Sequence, residues 1–447
     1  MILTETETKD LLGSIISLSK ADSLVLEARG GLSTNIRISK NSLNTNGTEK
    51  SLKLTLNSAF GNRTASYTLN QLRKAEIEQG LRYCERLAKV APPDPEFLPP
   101  LGPQFYPHSF SYAQEMGNLS IEDLGRMIAH AMDMLSREKS SGIDISCYVK
   151  WQKYFIAIAN TSGLFGYQKF ANLQLTATAR THDGKGSGWA GALVFHPSDI
   201  NPEKLIESAI RKAIAGREKI SLDPGHYTVL LEPSAAVDLV GLMLFSMDGR
   251  MADEGRSVFS KPGGGNRIGE LLFPHNITII SDPSDPRTPG SIFSTEGLPC
   301  LRTPWIQNGV LCQLIYSRFW AKKQNKQPIA EPSNIIMSGS PLSLDELIQS
   351  IDKAILITRL WYIREADPQS LIYTGLTRDG TFLIEKGKIS KALNNFRFNQ
   401  SPIKMLQNVI AMGKPLSAIG SEIDEFPAVV PPLLVKDFNF SSASEAI

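Results

Sequence analysis

The sequence contains few of the side chains that bind metals or form disulfides. Among its 447 residues there are four cysteines and six histidines. The cysteines (Cys84, Cys147, Cys300 and Cys312) show no C-x-x-C spacing, which is typical of reduced, structural thiols rather than of a disulfide framework. The histidines are widely spaced, so the chain has neither H-E-x-x-H nor any other two-histidine helical pair.

Signals for export, membrane insertion and nucleic-acid binding are also missing. The first ten residues, MILTETETKD, carry acids where a secretory signal has an apolar segment. The most apolar long stretch, Tyr227–Met247, is interrupted by Glu232, Pro233 and Asp238, so we do not expect it to span a membrane. Lysine and arginine total 47 against 45 acids, and this near-balance gives no field that attracts nucleic acid. We expect a cytoplasmic protein that binds neither a membrane nor nucleic acid.

The local context of a nucleophilic enzyme or a phosphate loop is missing as well. There is no G-x-S-x-G elbow, and no cysteine is next to a histidine. The glycine run KPGGGNRIGE (261–270) lacks the G-K-[ST] ending of a phosphate loop. A backbone that passes close to a partner chain or a bound peptide is the better interpretation of this run.

The patterns that are present predict an α+β protein. The length suits two or three domains, and 42% apolar residues suit a globular core. Helical spacing at 4–19 is followed by strand patterns of antiparallel hairpins and by a helix from Gln71 to about Val90. Strands flanked by helices, without regular βαβ alternation, favour α+β layers.

Four segments follow from these patterns. Residues 1–90 are predicted to form an N-terminal α+β subdomain, and 91–118 a proline-rich linker or lid. Residues 119–222 are predicted to form a central α+β subdomain that continues the N-terminal antiparallel sheet. Residues 223–447 are predicted to form a mostly β domain, barrel- or sandwich-like, with a few helices.

Capping signals predict three more helices. Ser120 begins an S-x-x-D box whose helix runs to about Glu138, and Asn201 followed by Pro202 begins a second. Ser343 forms a capping box with Glu346. The buried stripe expected for this third helix consists of Leu344, Leu347, Ile348, Ile351 and Ile355.

Turn signals predict the strand connections of the last domain. Asn308-Gly309 suits a type I′ hairpin that places Trp305 opposite Cys312. Asp379-Gly380 and Lys386-Gly387 predict a three-stranded meander. Residues 227–243 read as a strand that meets a helix, a junction at which enzymes often place metal ligands or nucleophiles.

Several ordered segments resemble the TldD/PmbA family. They include DEGRSVFS, SDP, EGLPCLRTPWIQNGVLCQLIYSRFWAKK and FLIEKGKI, and upstream RTHDGKGSG and PGHYTVLLEPSAAVDLVG. The resemblance covers most of the chain and is weakest before residue 110. It implies relation to a two-subunit cytoplasmic protease in which one subunit holds zinc through H-E-x-x-x-H at a helix start.

The place of that zinc motif is taken here by Ser234–Gly241, which offers no imidazole, thiolate or glutamate. The family's zinc sites also use a cysteine late in the chain, and none follows Cys312. The resemblance therefore implies the metal-lacking PmbA/TldE-like branch, with no catalytic residue, metal or cofactor in this chain. It further implies a zinc-bearing TldD-like partner, or self-association as a dimer, and peptide or unfolded-protein substrates.

Two other functions stay open at this stage. The chain is a metal-dependent peptidase in its own right if Asp238, Glu254 and His275 converge into an unconventional site. Alternatively, it is a homodimer that binds peptides without cleaving them.

The residues predicted to bind substrate lie in the family-like segments. Arginines there could meet carboxylates or peptide carbonyls, although each could instead pair with a nearby acid. The predicted set is Arg256, Gly263, Gly264, Gly265, Arg267 and Arg378.

Overall fold

The computed structural model describes residues 2–128 and 142–444. Its helices are α1 (Glu5–Leu18), α2 (Lys74–Val90), α3 (Gln114–Gly117), α4 (121–128), α5 (Pro202–Ala215), α6 (Pro233–Phe245), α7 (Gly249–Asp253), α8 (Arg318–Lys323), α9 (Leu344–Gln349) and α10 (Pro402–Gln407). Its first ten strands are β1 (Ser23–Ser39), β2 (Ser42–Phe60), β3 (Arg63–Leu69), β4 (Ile143–Asn160), β5 (Phe165–Thr181), β6 (Ser187–Val194), β7 (Lys219–Ile220), β8 (Gly225–Leu231), β9 (Ile279–Ser281) and β10 (Thr303–Gln307). The others are β11 (Val310–Leu311), β12 (Ile335–Met337), β13 (Lys353–Asp367), β14 (Ile372–Glu385), β15 (Lys388–Leu393), β16 (Asn395–Gln400), β17 (Val409–Met412), β18 (Leu416–Ser417), β19 (Ala428–Val430) and β20 (Leu433–Ser444). Strand residues outnumber helical ones, 42% against 22%, which confirms the α+β class.

The first half of the chain builds one antiparallel sheet in the order β3-β2-β1-β4-β5-β6. Apolar residues alternate along β1, so Leu24 and Leu26 face one side of the sheet, where they are buried. Leu12 and Ile15 of α1 and Leu81 of α2 pack against that side. Because β4 pairs directly with β1, the central segment extends the N-terminal sheet.

Helix α5 lies very close to β6, and a glycine makes this possible. A Cβ atom at Gly188 would stand 2.1 Å from the carbonyl oxygen of Ala209. Only glycine therefore allows the helix backbone to approach the strand at this point. The contact fixes Lys212, one turn further along α5, beside the start of the C-terminal region.

The proline-rich segment contains no helix or strand between 91 and 113, apart from an isolated bridge at Pro93. It runs along both halves of the molecule. Leu101 accepts a hydrogen bond from Asn160 Nδ2 at 2.9 Å, and Tyr106 donates its hydroxyl proton to Gly297 O at 3.0 Å. The segment thus fastens the N-terminal sheet to the C-terminal region.

Five strands of the C-terminal region close into a barrel, in the order β13-β8-β20-β16-β14 with β14 returning to β13. This confirms a mostly β, barrel-like domain. A second sheet, β11-β10-β9-β12-β19-β18, lies in the same hydrophobic core. Helix α6 packs within that core with Ile279 and Ile335 of the second sheet and Ile357 and Val435 of the barrel.

The hairpin at Asn308-Gly309 is confirmed. Both residues have positive φ, 49° and 79°, as a type I′ turn requires. Cys312 N donates to Trp305 O at 2.9 Å, which is the expected pairing. The capping boxes at Ser120 and Ser343 form as well. The predicted end of α4 near Glu138 lies outside the described residues.

Two local predictions are wrong. Asp379-Gly380 makes no turn, because β14 continues through it, and the two residues form a bulge opposite Thr358. An Asp-Gly pair signals positive φ, and a bulge uses that geometry as well as a turn does. Helix α9 ends at Gln349, so the predicted stripe is too long, and Ile355 lies in β13 instead.

Among the described helices, none is long and apolar enough to cross a membrane.

Candidate functional site

The predicted strand-to-helix junction is confirmed: β8 leads into α6 at Glu232, and this junction is called the platform below. Glu232 is the N-cap residue, but its side chain does not cap the helix. It accepts a hydrogen bond from Lys212 Nζ at 2.7 Å and one from Thr358 Oγ1 at 3.3 Å. Both charged side chains are largely buried, with exposures of 14% and 13%. The platform is therefore tied to α5 by a desolvated ion pair and to β13 by a hydrogen bond.

The first two turns of α6 are sealed in the core. Every residue of Ser234–Gly241 is buried, and most are alanine, valine or leucine. Asp238 is the one ionisable residue in this window, and its side chain is fully buried. The helix start therefore presents apolar surface to its neighbours rather than ligands to an ion.

The carboxylate of Asp238 accepts hydrogen bonds from the loop that precedes β19. Its Oδ2 accepts hydrogen bonds from Ser421 N (2.9 Å) and Ser421 Oγ (3.1 Å), and its Oδ1 accepts one from Glu422 N (2.9 Å). A Cβ atom at Gly420 would lie 2.1 Å from Oδ1, so the loop closes tightly over the carboxylate. Burial raises the pKa of Asp238 to about 6, although these hydrogen bonds act to lower it.

The residues at the start of α6 do not fit a zinc ion. Zinc needs three or four nitrogen, sulfur or carboxylate donors that converge on one point. In residues 2–128 and 142–444, no group of three His, Cys, Asp or Glu side chains is placed to hold a metal. The oxygens of Asp238 already accept three hydrogen bonds, so they serve the loop rather than an ion.

The alternative constellation of Asp238, Glu254 and His275 is not assembled. Asp238 is buried against the loop at 421–422, whereas Glu254 pairs with Arg250 and Arg256. His275 is exposed. The described structure therefore does not bring the three together into a metal-binding group.

A second cluster of charges surrounds Arg359, between β6 and the barrel. Its guanidinium lies over the rings of Trp189 and Trp361, 4.9 and 5.0 Å from their centroids. Asp379 is buried beneath it and accepts a hydrogen bond from Ser187 Oγ at 2.6 Å. Nε of Arg359 is 3.3 Å from Asp379 Oδ2, but the geometry makes no hydrogen bond. Burial lowers the pKa of Arg359.

The predicted substrate-binding residues fall into two places. Arg256 and Arg267 both belong to the excursion after α7, and they pair with Glu254 and Glu270. Gly263–Gly265, with positive φ throughout, form the exposed tip of this excursion, and no atom lies within 4 Å of a Cβ built at any of them.

Arg378 lies elsewhere, on β14, where its guanidinium is 4.8 Å from the ring of Trp361. The β13–β14 register brings Arg359 directly opposite it. Sequence reasoning missed Arg359 and Trp361, because the pairing of distant strands decides this cluster. Their one sequence signal is the aromatic pair Trp361-Tyr362 within a strand pattern.

A cleft of about 390 Å³ separates the N-terminal sheet from the C-terminal region. Glu27, Arg29 and Lys53 line its sheet side, and Phe293 and Phe426 line the other. Burial raises the pKa of Glu27. The six predicted residues are not among the described residues that line this cleft.

Comparison with known proteins places this geometry in a family. Residues 224–442 match the PmbA/TldA metallopeptidase C-terminal domain, and 117–217 match the central domain. A metalloprotease of Methanothermobacter thermautotrophicus is 23% identical over 287 residues, which cover 58% of this chain. The same alignment covers 59% of that relative, so the chain matches less than two thirds of its length.

Solved structures share the whole fold at low sequence identity. TldE from Thermococcus kodakarensis has a TM-score of 0.85 at 15% identity and covers 96% of this chain and 99% of its own. A proposed modulator of DNA gyrase from Thermotoga maritima has a TM-score of 0.83 at 18% identity, with coverage of 97% and 100%. Two consecutive family domains thus account for most of the chain, and the protein belongs to the PmbA/TldD family.

Proposed function

We propose that this protein is a non-catalytic, TldE-like subunit of a cytoplasmic metallopeptidase complex that acts on peptides or small unfolded proteins. The observation that carries the proposal is the start of α6, where a buried apolar surface and an engaged Asp238 stand in place of metal donors. A separate zinc-bearing chain of the same family would supply the hydrolytic chemistry. This chain would hold substrate and complete the complex.

The partner is tested by mixing the purified chain with zinc-bearing members of the family. We expect a complex by light scattering, zinc in the complex, and peptide hydrolysis that needs the partner. The chain alone should contain no stoichiometric zinc by elemental analysis, because Ser234–Gly241 offers no donors that converge on an ion. Tightly bound zinc and peptide cleavage by the isolated chain would refute the proposal, as would the failure of every candidate partner to bind.

Within this function, Arg256, Gly263–Gly265, Arg267 and Arg378 are proposed to contact the peptide. Substituting alanine for Arg256 or Arg378 is expected to weaken peptide capture by about tenfold, the loss typical of one charge-assisted contact. Fluorescence anisotropy with a labelled acidic peptide measures the change. Arg287→Ala is a matched control, because Arg287 is as exposed as Arg256 (56% against 54%) and also pairs with an acid two residues away. If Arg256→Ala and Arg378→Ala bind the peptide as tightly as the control Arg287→Ala does, the assignment of these arginines to peptide binding is wrong.

A further inference from the structure

The outer part of β13 contains a strained bulge. Register with β14 shifts between Trp361 and Arg364, and Tyr362 within the shift has φ of 54°. This left-handed conformation is rare for a bulky L residue. Strained backbone of this kind persists only where the surrounding structure holds it, and it is concentrated at binding and active sites.

A chain of hydrogen bonds supports the bulge from the core. The carboxylate of Glu422 accepts the N–H of Ile363 at 2.8 Å and lies 3.2 Å from Nη1 of Arg364. The backbone N–H of Glu422 is in turn held by Asp238 of α6. The buried helix thus fixes the loop, and the loop fixes the bulge. Such layered support is what keeps a binding surface in one geometry.

The bulge displays aromatic rings that are partly covered by arginines. Trp361 is 37% exposed and Tyr362 is 54% exposed. Arg364 lies 4.4 Å from the centroid of Tyr362, and Arg378 lies 4.8 Å from that of Trp361. Tryptophan, tyrosine and arginine are the residues that most often dominate binding energy at protein surfaces.

Within the described part of the chain, the guanidinium of Arg378 has hydrogen-bonding capacity to spare. Its carboxylate neighbour, Asp379, lies 3.7 Å from its Nε, which is too far for a hydrogen bond. Asp379 is already engaged by Ser187 Oγ and lies beside Arg359. A second carboxylate at the bulge, that of Glu422, is engaged by Ile363 and Arg364. A carboxylate from outside could therefore accept hydrogen bonds from Arg378.

We propose that the bulge surface, defined as Trp361, Tyr362, Arg364 and Arg378, binds an extended peptide in which an aromatic residue adjoins an acidic one. The peptide ring would pack against Trp361 and Tyr362, and the peptide carboxylate would meet Arg378. The inference rests on the proposed peptide-handling function and names one place where this chain holds its substrate.

The test uses the full chain and short labelled Gly/Ser peptides that contain a central Asp-Phe, Lys-Phe or Asp-Ala pair, with affinity read by fluorescence anisotropy. The decisive variant is Tyr362→Gly, because glycine adopts positive φ freely and keeps the bulge while removing the ring. Lys386→Gly is the matched control, since Lys386 is also exposed, with φ of 50°, on the same domain. Trp361→Ala removes the second ring.

We expect the Asp-Phe peptide to bind most tightly. Tyr362→Gly and Trp361→Ala should each lower its affinity about tenfold, whereas Lys386→Gly should leave it unchanged. Wild-type affinity in both ring variants, or equal binding of the Lys-Phe peptide, overturns the inference. The inference is also overturned if a ring variant binds the peptide normally but no longer binds the zinc-bearing chain, because the surface is then a subunit interface. If the wild-type protein does not form that complex, the proposed function is refuted instead. Peptide binding by the isolated chain then still tests whether the bulge surface binds peptide.

Discussion

Replacing Asp238 with alanine is expected to lower the free energy of unfolding by about 2–4 kcal/mol, since each buried donor left without an acceptor costs roughly 1–3 kcal/mol. The substitution leaves the N–H groups of Ser421 and Glu422, which point at the fully buried carboxylate, without their acceptor. Relief of the buried charge offsets part of this loss. Urea denaturation at neutral pH, followed by circular dichroism, measures the change.

A control and a pH series separate this role from a general effect of substitution. Asp345→Ala removes an exposed carboxylate and should change stability by no more than about 0.5 kcal/mol. Burial raises the pKa of Asp238 from 3.8 to about 6, so the folded state binds a proton there that the unfolded state releases. The stabilisation from that proton is full below about pH 4 and is lost as the pH rises through about 6. The deficit of Asp238→Ala should therefore grow as the pH falls from neutral through about 6, and a constant deficit would contradict the assignment.

Replacing Glu232 with alanine is expected to cost about 3–5 kcal/mol, because breaking a buried ion pair leaves an uncompensated charge. The ammonium of Lys212 would keep a single described acceptor, the carbonyl oxygen of Trp189 at 3.2 Å. The loss should appear as a lower midpoint in chemical denaturation. It should also loosen the contact between α5 and the start of α6, seen as faster amide exchange there.

Two further variants distinguish a buried pair from an exposed one. Glu254→Ala makes the same change in a more exposed cluster with Arg250 and Arg256 and should have a small effect. Replacing both members of the buried pair, Lys212→Met with Glu232→Leu, should recover much of the stability, because no isolated charge remains. If Glu232→Ala proves as mild as Glu254→Ala, the pair contributes little to docking of the two halves.

Local sequence patterns correctly predicted the helix caps and turns whose hydrogen bonds join residues close in sequence. The capping boxes at Ser120 and Ser343 and the turn at Asn308-Gly309 are satisfied within a few residues, so their chemistry alone specifies them. The pair Asp379-Gly380 shows the limit of this reasoning. Its signal for positive φ was correct, but whether the chain turned or bulged depended on the pairing of β14 with β13.

The candidate site divides in the same way. Arg256, Gly263–Gly265 and Arg267 are close in sequence and therefore belong to one irregular segment after α7. Arg378 meets Trp361 and Arg359 only through the register of two strands, which no short pattern encodes.

The sequence by itself determined that Ser234–Gly241 carries no metal-binding donor except Asp238, because the type of side chain at each position is a local fact. Only the tertiary structure decided what that residue does. Packing of α6 into the core brought a carboxylate within hydrogen-bonding distance of a loop more than 180 residues away and, through that loop, of the bulge in β13. Burial and long-range pairing depend on the whole chain, and they are the reason that Asp238 supports the loop and, through it, the bulge in β13.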